Sequence, residues 1–265
     1  MKISLLFIFS CLFGTALFAQ KTDTLTTISG IKYFYLKKGA GPVLTPGWIA
    51  IWQYRLTLTD GTKIDASWDR NSPFAAKYPS GQIIKGVTEA LSLMHLGDSA
   101  VFIIPSSLCY GEKGSGSIPP NATLVFDMKL IETKENSLQE ILDSALFERP
   151  VTNNSKPRMK EVMAVYTELK NQHFKNLYTS EDDFNNLGYQ ILKNFPEDAV
   201  EFFKMNIEIY PKSWNVYDSL GEGYEALGKT GLAIENYEKS VKLNPDNTNG
   251  IEMIKKLKAK ISASM

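Results

Sequence analysis

From residue 31 to residue 132, apolar and polar positions alternate with a period close to two, the spacing of half-buried strands. Ile31–Leu36 and Ile49–Leu58 predict two strands, and Ser99–Pro105 and Thr123–Ile131 predict two more. Thr59-Asp60-Gly61-Thr62 supplies a hairpin turn, because glycine adopts the positive φ that such turns require. One segment breaks the rhythm. Val87, Ala90, Leu91 and Met94 fall at i, i+3, i+4 and i+7, a short helical stripe that ends before Gly97. The pattern predicts an α+β domain over residues 29–132, an antiparallel sheet wrapped on one short helix. Residues 20–28, rich in threonine and lysine, read as an exposed lead-in.

After Glu132 the period becomes helical. Ser137-Leu138-Gln139-Glu140 is a capping box, in which a hydroxyl and a carboxylate satisfy free N–H groups at a helix start, and it opens a helix to about Phe147. Arg149-Pro150 ends that helix, so residues 133–156 read as a linker helix and a polar loop. Pro157 suits the first turn of a further helix, whose stripe of Val162, Met163, Tyr166, Leu169 and Phe174 runs to about Leu177.

From Ser180 the sequence repeats. Ala199, Phe203 and Pro211 recur at Ala233, Tyr237 and Pro245, each displaced by 34 residues. Tyr217, Leu220, Gly221, Tyr224, Ala233, Tyr237 and Pro245 fall at tetratricopeptide spacing. Small Gly221, Ala233 and Ser240 let paired helices approach, while Tyr224 and Tyr237 fill the gap between them. Residues 214–247 follow the pattern closely. Residues 180–212 are a degenerate copy, with Asn206 at a small-residue position and one extra loop residue. Residues 157–262 therefore predict an all-α helical-repeat domain, its ends covered by the 157–178 helix and by a last helix from about Asn249 to Ile261.

A chain of 265 residues suits one to two domains, and 43% apolar with 11% aromatic residues supplies their cores. Lys+Arg and Asp+Glu are both 29, so no global field recruits nucleic acid. Met1-Lys2 and the apolar run to Phe18 read as a secretory signal cleaved after Ala19, before the polar Gln20-Lys21. About 16 residues from Ile3 to Phe18 fall short of the ~20 that span a membrane. The expected location is a bacterial periplasm or cell envelope; the alternatives are an uncleaved anchor or a lipid on Cys11. Loss of residues 1–19 leaves Cys109 as the one thiol, which excludes an internal disulfide, a CxxC redox pair and a thiolate zinc site. With His95 and His173 the only histidines, no metal and no cofactor is expected. The sequence has no GxSxG or HExxH motif. Gly114-Ser115-Gly116-Ser117 resembles a phosphate loop by composition alone and reads as a flexible flap.

The remaining motifs carry the chemistry through their order. Tyr54 stands six residues before Asp60-Gly61, and Ile64-Asp65, Asp69-Arg70-Asn71-Ser72-Pro73-Phe74, Ile83-Ile84-Lys85-Gly86, Tyr110-Gly111 and Ile118–Asp127 follow. Across residues 29–132 this series resembles the FKBP-type peptidyl-prolyl isomerases, the tacrolimus-binding immunophilins. The resemblance implies a half-barrel sheet curled around the short helix, with the site between them. It implies that Tyr54, Phe74, Ile83, Ile84, Tyr110, Ile118 and Phe126 line a proline pocket with Asp65 at its polar edge. It gives Asp65 an electrostatic and orienting role. The Tyr110 hydroxyl and the Ile84 backbone N–H are the implied hydrogen bonds to a ligand's carbonyls. Two positions depart from the family pattern: the pocket floor, usually Trp, is Val87, and another usual Phe is Ile64. Both stay apolar, and they make the pocket wider and less aromatic, which bears on macrocycle affinity more than on catalysis.

The implied activity is cis–trans isomerisation of X–Pro bonds in unfolded or extended polypeptide clients, with a tacrolimus-type macrocycle as a further ligand. The helical repeats are expected either to hold a client or partner beside the site, raising the local concentration of prolines, or to stabilise the chain. The alternative function is a folding helper or scaffold that binds proline without turnover, an option that Val87 keeps open.

Overall fold

The computed structural model describes residues 23–70, 72–152 and 154–264. The predicted signal segment with its cleavage point, Cys11 and Asn71 lie outside them. The chain forms two compact units. One holds the described residues up to Val43, Trp52–Phe74 and Ile83–Ile131; the other holds Leu44–Ile51, Ala75–Gln82 and the chain from Glu132 onward.

Seven strands make one sheet: β1 (Leu25–Thr26), β2 (Lys32–Lys37), β3 (Ile49–Leu58), β4 (Lys63–Ala66), β5 (Phe74–Lys77), β6 (Ser99–Ile104) and β7 (Leu124–Lys134). Their order is β1-β2-β6-β7-β3-β4, with β5 paired to β3. The β1–β2, β2–β6, β6–β7 and β3–β4 pairs are antiparallel. Burial follows the alternation read from the sequence: Ala100, Phe102 and Ile104 of β6 and Leu124, Phe126, Met128 and Leu130 of β7 are buried. Phe102 pairs with Phe126 and Ile104 with Leu124, so these side chains share one face. The β3–β4 hairpin closes through Leu58 N–H to Thr62 O at 2.9 Å, with Gly61 at φ +89°. β5 carries no clear alternation, so no strand is legible there in the sequence.

Helix α1 (Lys85–Ser92) lies on that same face. A Cβ on Gly86 would overlap Ile104 Cγ2, so only glycine lets α1 approach β6 this closely. Val87, Ala90 and Leu91 turn the apolar stripe inward. At the other end the Tyr35 hydroxyl donates to Leu93 O at 2.6 Å. Buried Asp98 fastens the turn after the helix by accepting from Gly39 N–H at 2.6 Å and His95 N–H at 2.7 Å.

The second unit is helical: α2 (Leu138–Leu146), α3 (Met159–Asn171), α4 (Glu181–Leu192), α5 (Pro196–Ile209), α6 (Asn215–Ala226), α7 (Thr230–Leu243) and α8 (Thr248–Ser264). The Ser137 hydroxyl caps α2 by accepting from Glu140 N–H at 3.1 Å, while the Glu140 carboxylate meets Lys77 Nζ at 2.6 Å. The sequence reads α2 as a linker helix. Instead its i, i+4, i+8 stripe of Leu138, Leu142 and Leu146 is fully buried in one core with Val162, Tyr166, Phe184 and Phe203.

Two further expectations change. Helix α3 stops at Asn171 rather than near Leu177, because His173, Phe174 and Asn176 take positive φ and cannot continue a helix. The chain beyond the helix then forms β9 (Leu177–Tyr178), parallel to β8 (Asn136–Ser137).

Helices α6 and α7 begin 34 residues after α4 and α5, at Asn215 against Glu181 and Thr230 against Pro196. At Gly221 an added Cβ would stand 2.9 Å from the Tyr237 ring, and one on Gly188 would overlap the Phe203 ring. Asn206, the departure in the first copy, is fully buried and donates to Glu181 O at 2.9 Å and Asn185 Oδ1 at 3.0 Å. Its own Oδ1 has no partner among the described residues, whereas at the matching position of the second copy the Ser240 hydroxyl accepts from Asn247 Nδ2 at 2.8 Å. Among the described residues no helix is long and apolar enough to cross a membrane.

Candidate functional site

Strand alternation puts Trp52 and Tyr54 on one face of β3, and ring contacts fix which face it is. The Tyr54 ring centroid lies 6.1 Å from that of Phe126 and 6.3 Å from that of Phe74. Phe74 in turn lies 4.9 Å from Trp52, with the planes tilted at 47°. Phe126 shares its face with Ile104, on which Gly86 of α1 rests. Four rings therefore gather on the helix side of the sheet, at separations where aromatic pairs attract. Their exposure is graded. Trp52 is 2% and Phe126 6% exposed, Tyr54 is half-buried, and Phe74 is 38% exposed. The group is thus an apolar wall, anchored inside and open to solvent along one ring.

A charged edge adjoins the rings. The Tyr54 hydroxyl donates to Asp65 Oδ2, and Arg70 Nη1 donates to Asp65 Oδ1. Arg70 Nη2 also reaches the Tyr54 hydroxyl at 3.2 Å and Asp65 Oδ2 at 3.5 Å. The Arg70 hydrogen bond holds the Asp65 carboxyl below the ordinary carboxylate range; burial opposes this, and the Tyr54 donation reinforces it. Burial and the bond to Asp65 raise the Tyr54 phenol, so it stays protonated and donating at neutral pH. Asp65 is a fixed anion whose two oxygens are already engaged, which suits it to setting a field and not to taking a proton.

The other sequence-predicted residues form a second group around the start of α1. Ile83 and Ile84 are half-buried there, and Val87 is 4% exposed on the first turn. Ile84 is the N-cap, extended at φ −60° and ψ 148°; its carbonyl accepts from Val87 N–H and Thr88 N–H at 3.1 Å each. Its own N–H has no acceptor among the described residues, as expected for an orphan donor at a helix start. A Cβ on Gly86 would sit 3.2 Å from Leu108 O, which places the loop leading to Tyr110 beside this helix end.

Tyr110 is 39% exposed, and the flap beyond it is closed by its own backbone. Ser115 N–H donates to Ile118 O at 3.0 Å, Ile118 N–H to Ser115 O at 2.8 Å, and Asn121 N–H to Gly111 O at 2.8 Å. This leaves Ile118 buried and Gly116-Ser117 at the tip, a tight turn where the sequence suggested a loose loop. Ile64 is half-buried beside Asp65 on β4.

Two residues of the site escape the sequence reading as functional. Arg70, on a 3-10 turn at Trp68–Arg70, is the cation that fixes Asp65; the signal available was its place five residues after that carboxylate. Trp52 backs Phe74, and its signal was the two-residue spacing from Tyr54. Cys109 is half-buried, and burial pushes its thiol up to about 11, too high for a thiolate nucleophile at neutral pH. Among the described residues no group of three or more His, Cys, Asp or Glu is placed to hold a metal ion.

Comparison with known proteins covers this same segment. The family model described as FKBP-type peptidyl-prolyl cis-trans isomerase matches residues 41–131. The chain is 46% identical over 113 residues to an FKBP-type peptidyl-prolyl cis-trans isomerase FkpA of Aeromonas hydrophila, an alignment covering 43% of this chain and 41% of that protein. It is 39% identical over 106 residues to FK506-binding protein 1 of Dictyostelium discoideum, covering 40% of this chain and 99% of that protein. A crystal structure of FkpA from Escherichia coli is 33% identical, covering 44% of this chain and 54% of that one at a TM-score of 0.41. The chain thus spans about two-fifths of the length of its FkpA relative and nearly all of the short FK506-binding protein. Through the segment that bears the four rings, the Asp65–Arg70 edge and the start of α1, the chain belongs to the FKBP-type peptidyl-prolyl cis-trans isomerase family.

Proposed function

We propose that the protein is an exported peptidyl-prolyl cis–trans isomerase acting on X–Pro bonds of unfolded or extended polypeptides, with the helical unit as a client- or partner-binding module. The observation that carries the reading is the contact of Tyr54 with both Phe74 and Phe126, edged by Asp65 and Arg70, within the family-matched segment. Rotation about a peptide bond meets a barrier of ~18–20 kcal/mol because the twisted amide loses its resonance. At X–Pro bonds the exchange takes tens to hundreds of seconds.

The planar imide separates charge more than the twisted one, so a pocket poor in water destabilises the planar form relative to the twist. The proline ring is assigned to the wall of Tyr54, Phe74 and Phe126, with Ile83, Ile84, Val87, Ile118 and Ile64 completing the apolar lining. The Ile84 N–H and the Tyr110 hydroxyl are assigned to the substrate carbonyls, where bonds that fit only the rotated geometry add differential binding. Asp65, locked by Arg70, supplies a fixed negative edge. Lowering the barrier by about 5 kcal/mol corresponds to roughly 10³–10⁴-fold acceleration. No step moves a proton or forms a covalent bond.

Export rests on the sequence of residues 1–19, and client binding on the 34-residue helical repetition. A tacrolimus-type macrocycle fits the same wall as a proline mimic. The test is refolding of a proline-limited protein by the mature chain and by its Tyr110→Phe and Asp65→Ala variants. Acceleration that falls in the variants supports the isomerase; aggregation suppressed equally by all forms, without acceleration, would replace it with a proline-binding helper.

A further inference from the structure

The helical unit contains a cavity of about 470 Å³ between α4, α6, α7 and α8, lined among others by Leu192, Glu222, Glu225, Tyr237 and Met253. Its walls are mixed in a specific way. Leu192 and Met253 are apolar, while Glu222 and Glu225 lie one helical turn apart on α6. Glu225 meets Lys256 Nζ at 3.0 Å, a pair whose lysine is 63% exposed and free to exchange. No cation pairs with Glu222 among the described residues, and the neighbouring Asp218 is already held by Asn247 Nδ2 at 2.6 Å and Asn249 Nδ2 at 2.9 Å.

A second observation is independent of the carboxylates. Tyr237 lines the cavity, is fully buried, and its hydroxyl has no hydrogen-bond partner among the described residues. Native proteins rarely leave such a group unsatisfied. The ring cannot swing away, because it is seated against Gly221. Burial raises the Glu222 carboxyl; a hydrogen bond with Tyr189 opposes this, and the charges of Asp218 and Glu225 add to it, so negative charge is concentrated in this corner.

We propose that this cavity takes the ammonium or guanidinium group of a lysine or arginine side chain in a bound polypeptide, paired with Glu222 and Glu225 and hydrogen-bonded to the Tyr237 hydroxyl. Long basic side chains combine an apolar stem with a charged tip. Leu192 and Met253 face the stem, and the carboxylates face the tip. The inference rests on the reading of the helical unit as a client-binding module and specifies which residue that module grips.

The test uses the full mature chain and a proline-free, lysine-containing peptide, with its norleucine counterpart as control, in titration calorimetry. The lysine peptide is expected to bind, the norleucine peptide to bind about ten-fold more weakly, and salt to weaken only the former. Glu222→Gln is expected to cost about ten-fold and Tyr237→Phe several-fold in affinity for the lysine peptide. Isomerisation of a separate proline peptide is expected to be unchanged in both variants, and a parental helical circular dichroism spectrum and unfolding midpoint report that their helical unit folds. A Glu222→Gln/Glu225→Gln protein that binds the lysine peptide as tightly as the parent overturns the proposal. Photo-crosslinking of a denatured client separates the two levels. Crosslinks to residues 181–261 that persist in the double variant keep the client-binding module and remove the cation site, whereas no crosslink to those residues removes both.

Discussion

Trp52 is the most consequential of the unanticipated residues, and Trp52→Leu measures what it does. The indole is 2% exposed and stands 4.9 Å from a Phe74 ring that is itself 38% exposed. Replacing it with leucine removes about 100 Å² of buried apolar area, or ~2.5 kcal/mol at 25 cal/mol/Å². Loss of the ring pair adds ~0.5–1.5 kcal/mol. The expected destabilisation is about 3–4 kcal/mol, within the 5–15 kcal/mol typical of a domain, so the variant folds at 25 °C. Freed of its backing, Phe74 samples positions outside the wall, and kcat/KM for a proline peptide falls by about five-fold, near 1 kcal/mol in the barrier.

Urea titration followed on NMR signals of Ile104 and Phe126 reports this unit without interference from the helical one. A cycle with Phe74→Leu isolates the pair, with an expected coupling of ~0.5–1.5 kcal/mol. In the Phe74→Leu background, Trp52→Leu costs no further activity. Additivity within ~0.3 kcal/mol, or unchanged kcat/KM in Trp52→Leu, would refute the idea that the buried indole positions the exposed ring.

The charged edge predicts a pH profile. Asp65 has a folded pKa below its unfolded value near ~4, so its contribution to stability is fully present above that value and is lost as pH falls through the folded one. Isomerisation is therefore flat from about pH 5 to 8, and Arg70→Met moves the acid limb upward; an Asp65 carboxyl carbon that titrates identically in both proteins removes Arg70 from the account. Gly86→Ala forces a methyl into Ile104 and pushes the start of α1 off the sheet, costing ~1–3 kcal/mol and most of the activity, as read by urea unfolding and peptide isomerisation. Gly221→Ala gains ~1 kcal/mol of helix propensity but crowds the Tyr237 ring, so the helical unit is expected to lose stability on balance while isomerisation stays at the parent rate.

How far the sequence carried depended on whether a feature repeats. The alternation of β6 and β7 and the turn at Gly61 were legible because each residue's burial follows from its parity or its φ. The 34-residue displacement between Phe203 and Tyr237 marked the helical pairs for the same reason. Three features lacked such a signal. The left-handed His173, Phe174 and Asn176 are not glycines, so nothing marks the end of α3. The β8–β9 pair joins two residues to two others about forty positions away, too short for any periodicity. Asp98 looks like an ordinary turn carboxylate until its two backbone partners are seen.

At the site, motif order singled out Tyr54, Asp65, Phe74 and Phe126, yet none of them is remarkable by type alone. What sequence order could not supply was support. Arg70 acts through Asp65 and Trp52 through Phe74, and support of that kind depends on distances across the fold.

The central claim is that an apolar wall with a fixed anion at its edge speeds rotation about a proline imide with no proton in flight. NMR exchange measurements on a proline peptide, with catalytic amounts of mature protein in light and in heavy water, test it most directly. The account predicts exchange orders of magnitude above the spontaneous rate, equal in the two solvents and sharply reduced by Tyr54→Ala. Exchange no faster than in buffer, or a rate that drops two-fold or more in heavy water, would contradict it.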